Sequence, residues 1–298
     1  MRPDVFVAID FPDFNFRLMA AIQALGIPIV YYVSPQLWAW RSGRISTLKA
    51  IASKVLVIFP FEADIYERAG IPVEFVGHPL IDLIHVSEPR ERFLASRGLD
   101  PAAPTLALLP GSRPNEIRTI LPGLARAAPI IRERVPAAQF VVARAPNLPN
   151  RLFDPLRAAG GQVHIVEGRT DDVLNACDVV LTASGTATVQ AALHERPMVI
   201  VYKLSALTYR LGRPFVKVDT FGMVNLVAGE RVVPELIQDD FTPQRVAAEA
   251  VSLLTDANRA ASMRAALRKV RERLGEPGAS RRAAEAVMAV AAGTGARR

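Results

Sequence analysis

Cysteine pairs, long apolar runs and the usual nucleotide-loop signatures are missing from this chain of 298 residues. No stretch approaches the ~18 consecutive apolar residues of a membrane span. The single cysteine, Cys177, excludes an internal disulfide and fits a cytosolic setting. It lies in an apolar helix-to-strand stretch and reads as a buried structural thiol rather than a nucleophile. The four histidines, His78, His85, His164 and His194, show no metal-ligand spacing. There is no GxGxxG, which disfavours a dinucleotide fold, and no GxxxxGK[ST], which disfavours an NTPase. Met1-Arg2-Pro3 leads straight into an apolar strand, so no signal peptide is visible.

What is present is a large apolar fraction and an uneven charge. Half the residues are hydrophobic, and the length suits two domains. Of the net charge of +7, residues 264–298 carry +6, from nine Arg/Lys and three Glu. That tail has no interleaved aromatics, so it reads as a solvated or lipid-facing helix rather than a nucleic-acid arm.

Apolar runs alternate with helical stretches along most of the chain. Strands are expected at 5–9, 27–33, 54–59 and 73–76, then at 105–109, 139–143, 163–166, 179–182 and 198–202. The periodicity between them predicts helices at 44–53, 62–69, 115–134 and 171–176. This is the pattern of α/β, doubly wound parallel sheets. The stretch 85–104, rich in Pro, Glu and Arg, reads as a linker with one short helix. Residues 203–235 are less regular, and 243–292 reads as helical with a break at 275–278.

Two strand-to-helix corners draw attention. Leu106–Arg118, LALLPGSRPNEIR, ends a strand at Pro110-Gly111-Ser112 and opens a helix near Pro114. Gly111 lets the backbone approach a ligand, the first amides of the helix form an anion site, and Arg113 offers a planar fork of donors. The plainer alternative is a structural corner with a surface arginine. Ser184-Gly185-Thr186 is the second such corner, and together the two suit the two phosphates of a nucleotide diphosphate. Nearer the start, Asp10 and Asp13 flank the carboxyl end of a strand. Either is a candidate to take a proton from a hydroxyl, or a turn and capping residue, with Asn15 as cap of the following helix. Trp38 and Trp40, beside Arg41 and Arg44, form an interfacial patch or a substrate wall, or pack the loop onto its own domain. The Asn225 amide binds a base or phosphate, or ties a loop.

The stretches IDFPDFNF (9–16), YYVSPQLWAWR (31–41), FPFE (59–62), FVGHPLID (75–82), LLPGSRPNEI (108–117), ASGTAT (183–188) and VPELIQ (233–238) together resemble the lipid-A-disaccharide synthase family, in its order and over nearly the whole chain. The resemblance implies two Rossmann-like domains of the GT-B type with an active site in the cleft between them. The expected extents are 1–88, 89–274, and a last helix at 275–298 that returns to the first domain. The implied reaction is an inverting, metal-free transfer from UDP-diacylglucosamine to diacylglucosamine 1-phosphate. The UDP-sugar is a substrate, and no cofactor is implied. Asp10 or Asp13 becomes the base, with Asp10 preferred. Gly111, Ser112 and Arg113 stabilise the departing diphosphate, and Glu116 orients Arg113 or touches the sugar. Ser184, Gly185 and Thr186 hold the nucleotide, Asn225 lies near the UDP, and His78 lies beside the cleft. The acylated substrates imply a cytoplasmic enzyme, peripheral on the inner face of the inner membrane of a Gram-negative cell, with no nucleic-acid partner; a homodimer is left open.

Two departures accompany the resemblance. Gln190 stands where many relatives have Glu, a residue that accepts ribose hydroxyls, so Gln190→Glu is expected to preserve or improve affinity if the position faces ribose. The family also begins with further strands and a Gly/Glu/Ser/Asp-rich turn, so the first domain is expected to be incomplete. Two other functions compete with the transferase: a non-catalytic nucleotide-sugar-binding remnant, and another UDP-N-acetylglucosamine enzyme of the same fold.

Overall fold

The computed structural model describes residues 2–35, 43–159, 163–203, 220 and 222–295. Among them, one compact unit holds the residues up to Leu83 together with those from Glu272 onward, and the other runs from Ile84 to Arg271.

The first unit begins with β1 (Phe6–Ile9), α1 (Pro12–Ala24), β2 (Ile29–Tyr32), α2 (Arg44–Ile51), β3 (Lys54–Val57), α3 (Pro60–Arg68), β4 (Val73–Phe75) and the single turn α4 (Leu80–Leu83). Its sheet is parallel, in the order β1-β2-β3-β4. The apolar strands bury one face against Met19, Leu48 and Tyr66 from the helices.

The second unit opens with α5 (Arg90–Ala95), β5 (Thr105–Leu109), the long α6 (Pro114–Arg134), β6 (Gln139–Arg144), β7 (Val163–Glu167), α7 (Thr170–Ala176), β8 (Val179–Ala183), α8 (Thr186–Leu193) and β9 (Met198–Tyr202). It continues through α9 (Met223–Ala228), β10 (Glu235–Ile237), α10 (Pro243–Thr255) and α11 (Ala257–Arg273). All its strands are parallel, in the order β10-β9-β8-β5-β6-β7. Every residue of β5 and β8 is buried, as expected of central strands covered on both faces. Full burial of a Leu such as Leu106 or Leu108 stabilises the sheet by roughly 1.5–3 kcal/mol. The chain order proceeds outward from β5 on one side and from β8 on the other, so the β5–β8 pair is the switch point where ligands of such sheets bind.

The last helix, α12 (Ala279–Gly295), belongs to the first unit. Its Ala283, Ala286, Val287 and Val290 pack on Val30, Leu56 and Val76, on the other face of that sheet. Asp82 accepts from the Gly278 amide at 2.7 Å and the Ala279 amide at 3.1 Å, which supplies the acceptors its N-terminus needs.

Four local expectations change. Asn15 is not the cap of α1; Phe11, in the left-handed region, holds that position. The stretch 84–104 is no free linker. Ser87 and Glu88 donate backbone N–H groups to Asp172, and Arg90 forks onto Asp178. The irregular region contributes a sixth strand, β10, too short for its periodicity to register. Finally, the helical C-terminal stretch has an additional break at Asp256, whose side chain receives the Arg259 amide at 2.9 Å. Trp38, Trp40 and Arg41 lie outside the described residues.

Candidate functional site

The second unit brings the two small-residue corners together. Because β5 and β8 are adjacent and in register, Leu109 opposite Thr182, the turns that follow them open onto one cleft of about 370 Å³, within the usual range for a small-molecule site. Gly111, Ser112, Arg113 and Glu116 line one wall, and Ser184, Gly185, Thr186 and Gln190 the other.

The two corners are wired differently. Gly185 has φ 144°, a value that only glycine adopts readily, and this turn opens α8. The amides of Gly185, Thr186 and Ala187 meet no acceptor among the described residues. They point from the positive end of a helix, the usual arrangement for binding an anion. At the other corner the two amides just ahead of the helix are occupied. Glu116 reaches back one turn, and its Oε2 accepts from the Ser112 amide at 3.1 Å and the Arg113 amide at 3.2 Å. Its Oε1 accepts from the Arg113 guanidinium at 3.1 Å. A side chain at Gly111, φ 116°, would collide with that carboxylate, 2.6 Å from the Cβ position. Of the two roles open to Glu116, orienting Arg113 is the one these contacts describe. The Arg113 side chain is otherwise 81% exposed, so its guanidinium is open to solvent on the cleft side of that pair.

In the first unit, Asp10 and Phe11 both have φ 44°, a conformation that costs non-glycine residues about 1–3 kcal/mol each. Two side chains hold the turn. Asn15 Nδ2 donates to the Asp10 carbonyl at 2.6 Å and the Ile9 carbonyl at 3.1 Å, and the buried Tyr31 hydroxyl donates to the Asp10 carbonyl at 3.0 Å. The tilt of side chains toward a helix N-terminus lets Asn15 reach back in this way. The Asp10 residue is exposed, and no donor among the described residues pairs with its carboxylate. Asp13 instead forms an ion pair with Arg44 at 3.0 Å.

Comparison with known proteins decides the family. The family described as lipid-A-disaccharide synthetase matches residues 1–290. The lipid-A-disaccharide synthase of Geobacter sulfurreducens is 46% identical over 287 residues, covering 96% of this chain and 75% of that protein. That of Anaeromyxobacter dehalogenans strain 2CP-C is 46% identical over 291 residues, covering 97% and 76%. The chain belongs to the lipid-A-disaccharide synthase family. It is thereby a glycosyltransferase of lipid A biosynthesis. Its fold matches UDP-GlcNAc 2-epimerase from Neisseria meningitidis, with a TM-score of 0.64 at 13% identity over 96% of this chain and 76% of that one. It also matches the S. aureus MnaA-UDP co-structure, with a TM-score of 0.63 at 13% identity over 94% and 73%. At such identities the likeness shows the shared GT-B architecture alone.

Neither Asn225 nor His78 is among the residues that line the cleft of the second unit. Asn225, on α9, is buried. Its Nδ2 donates to the Val233 carbonyl and Glu235 Oε1, and its Oδ1 accepts from the Val232 and Val233 amides, at 2.7 to 3.0 Å. With the whole amide engaged, it ties the loop to β10, the plainer of the two roles open to it, and is not among the residues lining the cleft. His78, in the first unit, packs with its ring centroid 5.1 Å from that of Phe59, tilted by 54°, and its Nδ1 accepts from the Leu80 amide at 3.2 Å, which leaves its proton on Nε2.

Burial lowers the His78 pKa from 6.5 to about 4. The unfolded chain therefore takes up this proton first, so stability is full above pH 6.5 and falls as the pH drops through the window from 6.5 to about 4. His78→Asn is expected to flatten the stability loss in that window, measured by urea unfolding at successive pH values; an unchanged slope would mean that the ring titrates normally.

Thr170, Ala143 and Ala145 also line the cleft, though nothing in their local sequence marked them. Ala143 lies near the end of β6, Ala145 just after it and Thr170 after β7, all at the same carboxyl edge, a placement that only the strand order reveals. Tyr202 ends β9 close by: burial raises its pKa first, then the charge of Glu116, against Arg113. Cys177 is buried, and its pKa is pushed up to about 12, chiefly by burial, as suits an inert thiol.

Proposed function

We propose that this chain joins UDP-diacylglucosamine to diacylglucosamine 1-phosphate with inversion, releasing UDP. The observation that carries this reading is the shared cleft, where helix-head amides that meet no acceptor among the described residues and an exposed arginine converge at the switch point of a parallel sheet. The diphosphate is held by the amides of Gly185, Thr186 and Ala187 and by the Arg113 guanidinium, which swings from Glu116. The acceptor hydroxyl oxygen attacks the anomeric carbon, and the bond from that carbon to the diphosphate oxygen breaks. Its electron pair leaves with UDP, and the hydroxyl proton passes to Asp10. The donors of the cleft act where negative charge grows, on the leaving diphosphate. Neither cofactor nor metal enters these steps.

No helix among the described residues is long and apolar enough to cross a membrane. We propose separately that the acylated substrates are met at the inner face of the inner membrane, where the positive charge of residues 264–298 favours anionic headgroups. Incubation with both sugar substrates and assay of released UDP tests the reaction. Release dependent on the acceptor is expected. UDP binding without turnover would leave a nucleotide-sugar-binding protein, and no binding at all would overturn the reading of the cleft.

A further inference from the structure

We propose that Asp171 is a positioning residue for the ribose of the bound nucleotide, acting through Gln190. This rests on the reading of the cleft as a UDP site. Asp171 lies in the first turn of α7, next to the cleft-lining Thr170. Its Oδ1 accepts from Gln190 Nε2 at 2.7 Å and lies 2.8 Å from His194 Nε2. Its Oδ2 accepts from the His85 amide at 3.1 Å. An ionised carboxylate only accepts, so this contact determines which way the Gln190 amide faces. The NH₂ group points to Asp171, and Oε1, which no donor among the described residues reaches, is left for the cleft that Gln190 lines.

An amide that donates to an anion has a more electron-rich carbonyl oxygen. Asp171 thus makes a neutral glutamine into a strong acceptor, suited to hydroxyls that donate and indifferent to a sugar edge that has none. Burial also lowers the pKa of His194, so that ring stays neutral and does not cancel the Asp171 charge. A carboxylate at position 190 would meet Asp171 across a 2.7 Å contact. The structure therefore reverses the expectation that Gln190→Glu alone preserves or improves affinity.

Calorimetric binding of UDP and of its dideoxyribose analogue to the wild type, Asp171→Asn, Gln190→Glu and the double variant tests the assignment. The wild type is expected to prefer UDP by about tenfold, the worth of one hydrogen bond to a strengthened acceptor. Each single variant is expected to lower that preference to about twofold or less. The double variant is expected to restore it. The amide introduced at position 171 then donates to the carboxylate introduced at position 190, whose second oxygen faces the cleft; such non-additivity marks a directly coupled pair. A purely structural role would weaken both nucleotides equally and leave the preference intact, which overturns the proposal. Should Asp171→Asn fail to fold, Gln190→Ala carries the same test by removing the acceptor itself, and an undiminished preference overturns it. A wild type that binds UDP without preference overturns the ribose assignment alone, whereas one that does not bind UDP overturns the reading of the cleft and this inference with it.

Discussion

Asp10→Asn is expected to slow sugar transfer by about 10²–10⁴-fold, the usual contribution of a general base, while UDP affinity stays within about twofold. The turn carries this expectation. Asp10 is held by its carbonyl, through Asn15 and Tyr31, rather than by its carboxylate. Asparagine tolerates the left-handed conformation of this position, so the exchange removes basicity and leaves the backbone in place. The cleft proposed to hold the nucleotide is lined by residues of the other unit, so UDP affinity should be indifferent to the change. Asp13→Asn is the control: its carboxylate is paired with Arg44 in an exposed ion pair, and its loss should change turnover little. Steady-state kinetics with both variants, together with UDP titration, decide the matter. Turnover near wild type in Asp10→Asn, or lost UDP binding, would remove Asp10 from the role of base.

Arg113→Ala is expected to lower kcat/KM by about 10²–10³-fold, the cost of losing one donor that meets developing charge. Little stability should go with it. The side chain is 81% exposed, and its ion pair with Glu116 is a surface contact worth about 1 kcal/mol or less. Glu116 should keep the Ser112 and residue-113 amides, so the corner itself survives. Arg113→Lys should recover only part of the activity, since a point charge cannot fork onto two phosphate oxygens. Activity within about fivefold of wild type in Arg113→Ala would place the leaving-group charge elsewhere, far short of what such a donor supplies.

Much of the site was legible before any coordinates. The Gly111 and Ser184-Gly185-Thr186 corners announce themselves by small residues between an apolar run and a helix, because backbone approach and free amides demand those residues. Asp10 and Asp13 read equally well as turn residues, and only the family resemblance puts Asp10 forward as the base. What stayed hidden depends on partners distant in sequence. Asn15 looks like a cap, yet two left-handed residues ahead of α1 swing carbonyls into its reach. Asn225 looks like a ligand-binding amide, yet Val232, Val233 and Glu235 engage both its ends. Asp171 looks like an ordinary acid in a first helical turn, and its link to Gln190 spans 19 residues.

The sequence by itself determined the kinds of chemistry available: two glycine corners for an anion, one arginine, two candidate acids and the family to which they belong. These follow from local rules of backbone freedom and side-chain charge. The tertiary structure decided which of them meet. The strand order sets β5 against β8, so corners separated by more than seventy residues face one cleft. The same packing turns Glu116 onto its own amides, and Asp171 onto Gln190. Pairing of parallel strands and burial of their apolar faces are non-local, and no window of sequence contains both partners.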